Sequence, residues 1–204
     1  MNFPVPPLLV ISDRGQARRP LTQIAEAVFR GGGRWFSLRE KDLPADERRA
    51  LLAELVELGR TYGALVMAHD DVEAVVATGA GGIHLPSGSD PGSARLRLPP
   101  ALIGVSAHSG AEAAAALRAG ADYATVSPIF LTDSKPGYSP ALGLDGLARA
   151  VAGAPGPVVA LGGITSANAA DCRVAGAAGI AVMGEVMRAA DPEAVVRALL
   201  DAIA

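Results

Sequence analysis

A (β/α)8 barrel is the fold this sequence predicts, and three observations predict it. Eight apolar, strand-like runs alternate with helix-like stretches in just over 200 residues. A small Gly/Ala turn leads into many of the strands, as in FRGGGRWFSL, ATGAGGIHL, LRAGADYATV and VAGAAGIAV, where glycine closes a helix by supplying a left-handed residue. Polar and charged residues gather instead just after the strands, where the loops of such a barrel build its active site. The structural rival, an open doubly wound sheet, is disfavoured because no GxGxxG follows the first strand and the eight units are nearly equal.

The strands are expected at 8–13 (LLVISD), 34–39 (RWFSLR), 64–69 (ALVMAH), 82–85 (GIHL), 102–108 (LIGVSAH), 123–130 (YATVSPIF), 157–164 (PVVALGGI) and 179–183 (GIAVM). Between them, ADERRALLAELVELGRTYG places Leu51, Leu52, Leu55, Val56 and Leu58 at helical spacing. SGAEAAAALRAG opens on a serine in N-cap position. DPEAVVRALLDAIA opens on Asp191 as cap, with Pro192 at the first helical position. The fourth connection, PSGSDPGSARLRLPP, offers a short turn at best. No linker or low-complexity stretch interrupts the series, so residues 1–204 are expected to form one domain.

Composition narrows the function classes. Half of the residues are hydrophobic and 19% are charged, which is enough apolar material for a substantial core. A net charge of −3 gives no electrostatic reason to expect a nucleic acid or an anionic membrane as partner. No segment approaches the roughly 20 apolar residues a bilayer span needs, and a cytoplasmic location is the expectation. The single cysteine, Cys172, excludes an intrachain disulfide and falls in a helix-like stretch, where an inert small side chain is the simpler reading.

Residues two apart share a face of a strand, so Ser37, Arg39 and, if extension persists, Lys41 point together, as do Ser106 and His108. With Lys135, in the long loop LTDSKPGYSPALG after the sixth strand, up to three cations gather at one mouth of an acidic chain. Such a cluster suits phosphate or pyrophosphate groups. Glycines end the seventh and eighth strands, in LGGIT and AVMGEVM, and the loops after those two strands are the usual phosphate site of this fold. His84, in mid-strand, reads as a hydrogen-bonded residue of the barrel interior.

The ordered set LREK (38–41), HDDV (69–72), GIHL (82–85), GVSAHS (104–109), AGADY…SPIFLTDSK (119–135), ALGGI (160–164) and GIAVM (179–183) resembles the thiamine-phosphate synthase/TenI family over nearly the whole chain. The resemblance implies a barrel that binds thiazole phosphates in thiamine biosynthesis. Its synthase branch joins a pyrimidine pyrophosphate to thiazole phosphate with Mg2+; its TenI branch includes tautomerases that move a proton on a thiazole phosphate without a metal.

The departures bear on the branch. Ser37 stands where the synthases have glutamine, and His69-Asp70 where they have Asn-Asp. After the fourth strand, PSGSD puts Ser89 where a metal-binding aspartate is expected; Asp90 comes one residue late, leaving Asp70 as the remaining metal ligand. The phosphate and substrate apparatus is retained in Ser37, Arg39, Lys41, His69, Thr132, Ser134, Lys135, Gly162, Gly163 and the Met183, Gly184, Glu185 backbone. His108 matches the tautomerase proton-transfer histidine, and histidine suits general acid–base work.

The resemblance therefore points first to a TenI-type thiazole tautomerase that uses His108 and no cofactor. The alternative is a thiamine-phosphate synthase, with Mg2+ and with pyrimidine pyrophosphate as second substrate. A non-catalytic phosphate-ligand binder is a second alternative. The family commonly associates, which makes a homo-oligomer compatible with the short, Ala-rich helices.

Overall fold

Eight parallel strands close on themselves in sequence order in the computed structural model, which describes residues 3–132 and 140–204. They are β1 (Leu8–Ile11), β2 (Trp35–Leu38), β3 (Leu65–His69), β4 (Gly82–Leu85), β5 (Leu102–Ala107), β6 (Tyr123–Val126), β7 (Val158–Leu161) and β8 (Gly179–Val182). Every neighbour is paired, including β1 with β8, so the sheet has no open edge. The predicted (β/α)8 barrel is the observed fold.

Alternation along each strand divides the apolar residues into two cores. Leu9, Ile11, Trp35, Met67, Leu102, Tyr123, Val159 and Ala181 fill the barrel interior. Leu8, Val10, Phe36, Val66, Ile83, Val105, Ala124 and Ile180 point outward, against the helices. Below the strands Phe3 packs edge-on against Trp35 at a centroid distance of 5.3 Å, adding an aromatic floor. Gly104 is required by this packing, because a Cβ there would collide with the Tyr123 ring.

The surrounding helices are α1 (Leu21–Arg30), α2 (Ala45–Thr61), α3 (Val72–Thr78), α4 (Pro91–Arg97), α5 (Gly110–Arg118), α6 (Gly143–Gly153), α7 (Ala169–Val174), α8 (Gly184–Met187) and α9 (Pro192–Ile203). Leu52, Leu55 and Val56 form the buried stripe of α2, as their spacing predicts. Ser109 caps α5 by accepting from the Glu112 N–H, and Asp191 caps α9 by accepting from that of Ala194.

Two expectations are corrected here. The fourth connection holds a seven-residue helix rather than a turn: Asp90 accepts from the Gly92 and Ser93 amides, and Pro91 takes the first helical position. The sixth strand ends at Val126, not at residue 130, since Pro128 has no N–H to donate. The chain beyond it nonetheless stays beside β7, with Ile129 N–H donating to Leu161 O (2.9 Å) and Phe130 N–H to Gly162 O (3.0 Å).

Candidate active site

Two cavities open at the C-terminal ends of the strands, and consecutive residues at the end of β2 line them, Arg39 the first and Glu40 and Lys41 the second. The first, of about 300 Å3, lies over β6, β7, β8 and β1. Seven of the predicted residues line it: Arg39, Thr132, Gly162, Gly163, Met183, Gly184 and Glu185. The second, of about 250 Å3, lies over β2 and β3 and is lined by Glu40, Lys41, Arg48, His69 and Asp70.

The Gly162-Gly163 turn is shaped by what it passes. Both residues have positive φ, 102° and 65°, which side chains disfavour. A Cβ on Gly162 would lie 2.8 Å from Pro128 Cα, and one on Gly163 2.5 Å from Leu131 O. Two glycines therefore bring the β7 loop against the chain that follows β6, and the cavity forms at their junction.

Lys41 does not share the cavity of Arg39. The chain turns after Glu40, so extension ends and the inward parity of Ser37 and Arg39 is not passed on. The cause is Glu40, only 2% exposed at the side chain, which accepts from Ser12 Oγ (2.6 Å) and from the Arg14 N–H (3.0 Å). Ser12 Oγ in turn accepts from the Arg39 N–H at 2.8 Å. Burial pushes the Glu40 carboxyl above its ordinary 4.5, against the opposing effect of those two hydrogen bonds.

Ser37 lies beneath the site rather than on its wall. It is 1% exposed, level with Ile11 and Met67, and its hydroxyl has no hydrogen-bond partner among the described residues. Above it in the barrel, His69 and His84 stack with centroids 5.7 Å apart and ring planes 22° apart. His84 is an interior residue, as expected from its place in mid-strand: Nδ1 meets Tyr123 Oη and Nε2 meets Ser106 Oγ, each at 2.9 Å. Burial, with a smaller effect from Arg39, lowers its pKa to about 4.

His108 lines neither cavity. Its Nδ1 is 3.0 Å from the carbonyl oxygen of Ser127, a residue in the wall of the first. A carbonyl only accepts, so Nδ1 carries the proton and Nε2 is the basic nitrogen of the neutral ring. Ser134 and Lys135 lie outside the described residues.

Sequence patterning overlooked Ser127 and Arg188 in the first cavity and Arg48 in the second, while Asp13, one of the polar residues that end the first strand, lines the first cavity. Arg48 reaches across from α2 to Asp71, with Nη2 to Oδ2 at 2.8 Å. Burial would raise the Asp71 carboxyl, but the hydrogen bonds from Arg48 and the Ala74 amide outweigh it and hold the pKa low.

Asp70 is the carboxylate left for a metal. It is the one non-glycine residue of positive φ (54°) among the described residues, and the β3 end thus turns it into the second cavity. Asp71 is engaged with Arg48, and Asp90 is engaged with its own helix. No group of three or more His, Cys, Asp or Glu residues gathers among the described residues. With Glu40 committed to Ser12 and Arg14, Asp70 is the carboxylate this cavity offers beside Lys41 and Arg48, which suits Mg2+, an ion that takes one or two carboxylates and fills its octahedron with substrate phosphate oxygens and water.

A profile described as thiamine monophosphate synthase matches residues 8–186, from the first strand through the short helix after the last. The chain belongs to the thiamine monophosphate synthase family. Relatives in that family include the thiamine-phosphate synthase of Roseiflexus sp. (strain RS-1), 40% identical over 96% of this chain and 84% of its own length. The thiamine-phosphate synthase of Methanoculleus marisnigri is 40% identical over 97% of this chain and 95% of its own. The thiamine phosphate pyrophosphorylase of Pyrococcus furiosus superposes with a TM-score of 0.87 at 33% identity, covering 96% of this chain and 94% of that one.

Family membership makes this chain an enzyme of thiamine biosynthesis. It also reorders the readings drawn from the motifs, since relatives along the full chain are named thiamine-phosphate synthases, which favours the alternative over the tautomerase placed first. No helix among the described residues is long and apolar enough to cross a membrane.

Proposed function

We propose that the chain is a thiamine-phosphate synthase, which joins hydroxymethylpyrimidine pyrophosphate to thiazole phosphate and releases pyrophosphate. The observation that carries this is the pair of cavities lined on either side of the Arg39-Glu40-Lys41 stretch. An isomerase acting on one phosphorylated substrate needs one anion site, whereas a transfer between two phosphorylated substrates needs two, side by side.

In this reading thiazole phosphate occupies the first cavity, with its phosphate at the Gly162-Gly163 turn and the backbone of Met183, Gly184 and Glu185. The pyrimidine pyrophosphate occupies the second. As the C–O bond to its methylene carbon breaks, the electron pair leaves with the pyrophosphate, the thiazole nitrogen lone pair forms the new C–N bond to that carbon, and Lys41 faces the growing charge. Asp70 is the residue that would hold Mg2+, which when bound supplies further neutralisation of the pyrophosphate. Glu40 acts indirectly, through the Ser12 hydroxyl that accepts the Arg39 N–H.

Incubation of the protein with both substrates, with and without Mg2+, tests the proposal. Metal-dependent formation of thiamine phosphate supports it, and no product with both substrates and Mg2+ present overturns it.

The His108 geometry supports thiazole tautomerisation as a second reading. The ring is fixed by its Nδ1–H on the carbonyl of Ser127, a residue that lines the first cavity, and histidine suits general acid–base work. Thiazole isomerisation by wild type, lost in His108→Gln, supports that activity.

A further inference from the structure

The β8 end of the first cavity holds an arginine that follows from no motif. Arg188 comes four residues after Gly184, so one helical turn brings its side chain back over the start of α8. The guanidinium lies on the face of Gly184 where a side chain would project. A Cβ built there falls 2.7 Å from Arg188 Cζ and 2.7 Å from Gln16 Oε1, closer than real Cβ contacts come.

Nη1 of Arg188 donates to Oε1 of Gln16, and Nε2 of Gln16 donates to Oδ2 of Asp13. A neutral amide thus orients the cation, and among the described residues Arg188 makes no ion pair. Most of the other arginines differ in this respect: Arg14, Arg30, Arg48, Arg95 and Arg97, for example, are each paired with a carboxylate.

Charge gives this arrangement a purpose. Asp13 and Glu185 line the same cavity, and against them Arg39 alone would leave the side-chain charge of the described wall negative. A phosphate dianion would be repelled by such a wall. Arg188 restores the balance at the end of the cavity where fold and glycines place the phosphate.

We propose that Arg188 determines the phosphate specificity of this cavity: its guanidinium turns from Gln16 onto the phosphate monoester of the bound substrate, and Gly184 is glycine to make room for it. The inference rests on the first cavity being the thiazole-phosphate site. Moving from an amide oxygen to a phosphate replaces a hydrogen bond to a neutral acceptor with charge-assisted bonds in a fork geometry that fits two phosphate oxygens. Gln16 holds the side chain near its working position, which limits the ordering needed when substrate arrives.

Calorimetry and steady-state kinetics on wild type, Arg188→Gln, Gly184→Ala and the double variant test this, using thiazole phosphate and its unphosphorylated alcohol. Arg188→Gln is expected to weaken thiazole phosphate by about 10- to 100-fold, the worth of a charged hydrogen bond, with affinity for the alcohol unchanged. KM for pyrimidine pyrophosphate is expected to stay as in wild type. Gly184→Ala, which displaces the guanidinium, is expected to weaken thiazole phosphate on its own and to add little in the Arg188→Gln background.

Unchanged affinity for thiazole phosphate in Arg188→Gln overturns the proposal, and so does an equal loss for phosphate ester and alcohol. If wild type binds the ester through Arg188 but makes no thiamine phosphate, the synthase reading fails and the Arg188 proposal stands. If wild type makes product and Arg188→Gln matches it at every thiazole phosphate concentration, only the Arg188 proposal fails.

Discussion

The Ser12 hydroxyl donates to Oε1 of Glu40 across 2.6 Å, and this bond ties the ends of β1 and β2 together between the two cavities. The same hydroxyl accepts the Arg39 N–H, while Glu40 accepts the Arg14 N–H. One buried carboxylate therefore organises the β1 loop and the backbone that carries Arg39 and Lys41. Removing it by Glu40→Ala leaves a hydroxyl and an amide without their acceptor, at a cost of about 1–3 kcal/mol for a buried unsatisfied group. Urea denaturation measures that loss, and KM for thiazole phosphate is expected to rise with it as Arg39 loses its anchor.

The pH dependence of the same residue has a definite sign. The folded carboxyl holds its proton more tightly than the unfolded one, because burial raises its pKa above 4.5. The folded state therefore binds more protons in that interval, and the Glu40 contribution to stability falls as pH rises from 4.5 through the raised value. Above that value it is constant. Glu40→Gln has no such slope, so the difference between variant and wild type in denaturant midpoint should change across this window and be flat above it.

His84 acts in the opposite direction. Its pKa is lowered from 6.5 to about 4, so the unfolded chain takes up the proton first. The stability that depends on neutral His84 is complete above pH 6.5 and is lost as pH falls toward 4. At about 1.4 kcal/mol per pKa unit, the loss by pH 4 is about 3 kcal/mol. His84→Gln removes the titration and should flatten acid denaturation between pH 6.5 and 4. The two residues titrate with opposite sign, so the two variants separate their contributions.

How far the sequence discloses this site depends on local periodicity. Strand parity is a local property, and it places Arg39 inward and His84 in the interior. Parity fails one residue pair later, at Lys41, because a tertiary bond from Ser12 to Glu40 turns the chain. The fourth helix was obscured by its glycine and serine, whose weak helix propensity is overridden by the Asp90 cap and Pro91. Arg188 was readable only as a glycine followed four residues later by a cation, which has meaning once a helical turn is known to lie there. Arg48 reaches the site from α2, and no spacing along β3 discloses it.

His108 gives a prediction that separates the two chemistries. Its ring is fixed by the Ser127 carbonyl, and Ser127 borders the first cavity. His108→Gln should lower any isomerisation of thiazole by about 100-fold or more, the usual worth of a general acid–base group. The coupling reaction should fall far less. A parallel fall of both rates in a folded variant would mean that His108 serves substrate placement rather than proton transfer.

Gly163→Ala tests the turn itself. At φ 65° a side chain is strained, and a Cβ would stand 2.5 Å from Leu131 O and 2.8 Å from Phe130 Cβ. The β7 loop and the chain after β6 cannot both keep their positions. The strain should destabilise the fold by about 1–3 kcal/mol. Because the displaced backbone borders the first cavity only, KM for thiazole phosphate should rise while KM for pyrimidine pyrophosphate changes little. Thermal melting reads the first effect and initial-rate kinetics the second.

The Mg2+ site proposed at Asp70 makes the sharpest chemical prediction. Asp70 enters the second cavity, whereas Asp90 spends its oxygens on Gly92 and Ser93 at the start of α4. Ser89, one residue earlier and half-buried, is not part of that cap. Ser89→Asp would offer a second carboxylate from the β4 loop without disturbing the helix start. Mg2+ gains from a second hard oxygen ligand, so the concentration of Mg2+ giving half-maximal thiamine phosphate formation should fall by about tenfold. Asp70→Asn should raise it, with rate partly recovered at high Mg2+ because pyrophosphate oxygens still bind the ion. If Ser89→Asp leaves the Mg2+ requirement unchanged while Asp70→Asn raises it, the metal is held through Asp70 and the substrate alone. If neither substitution moves it, Asp70 is not a ligand, and the assignment of metal to the second cavity fails.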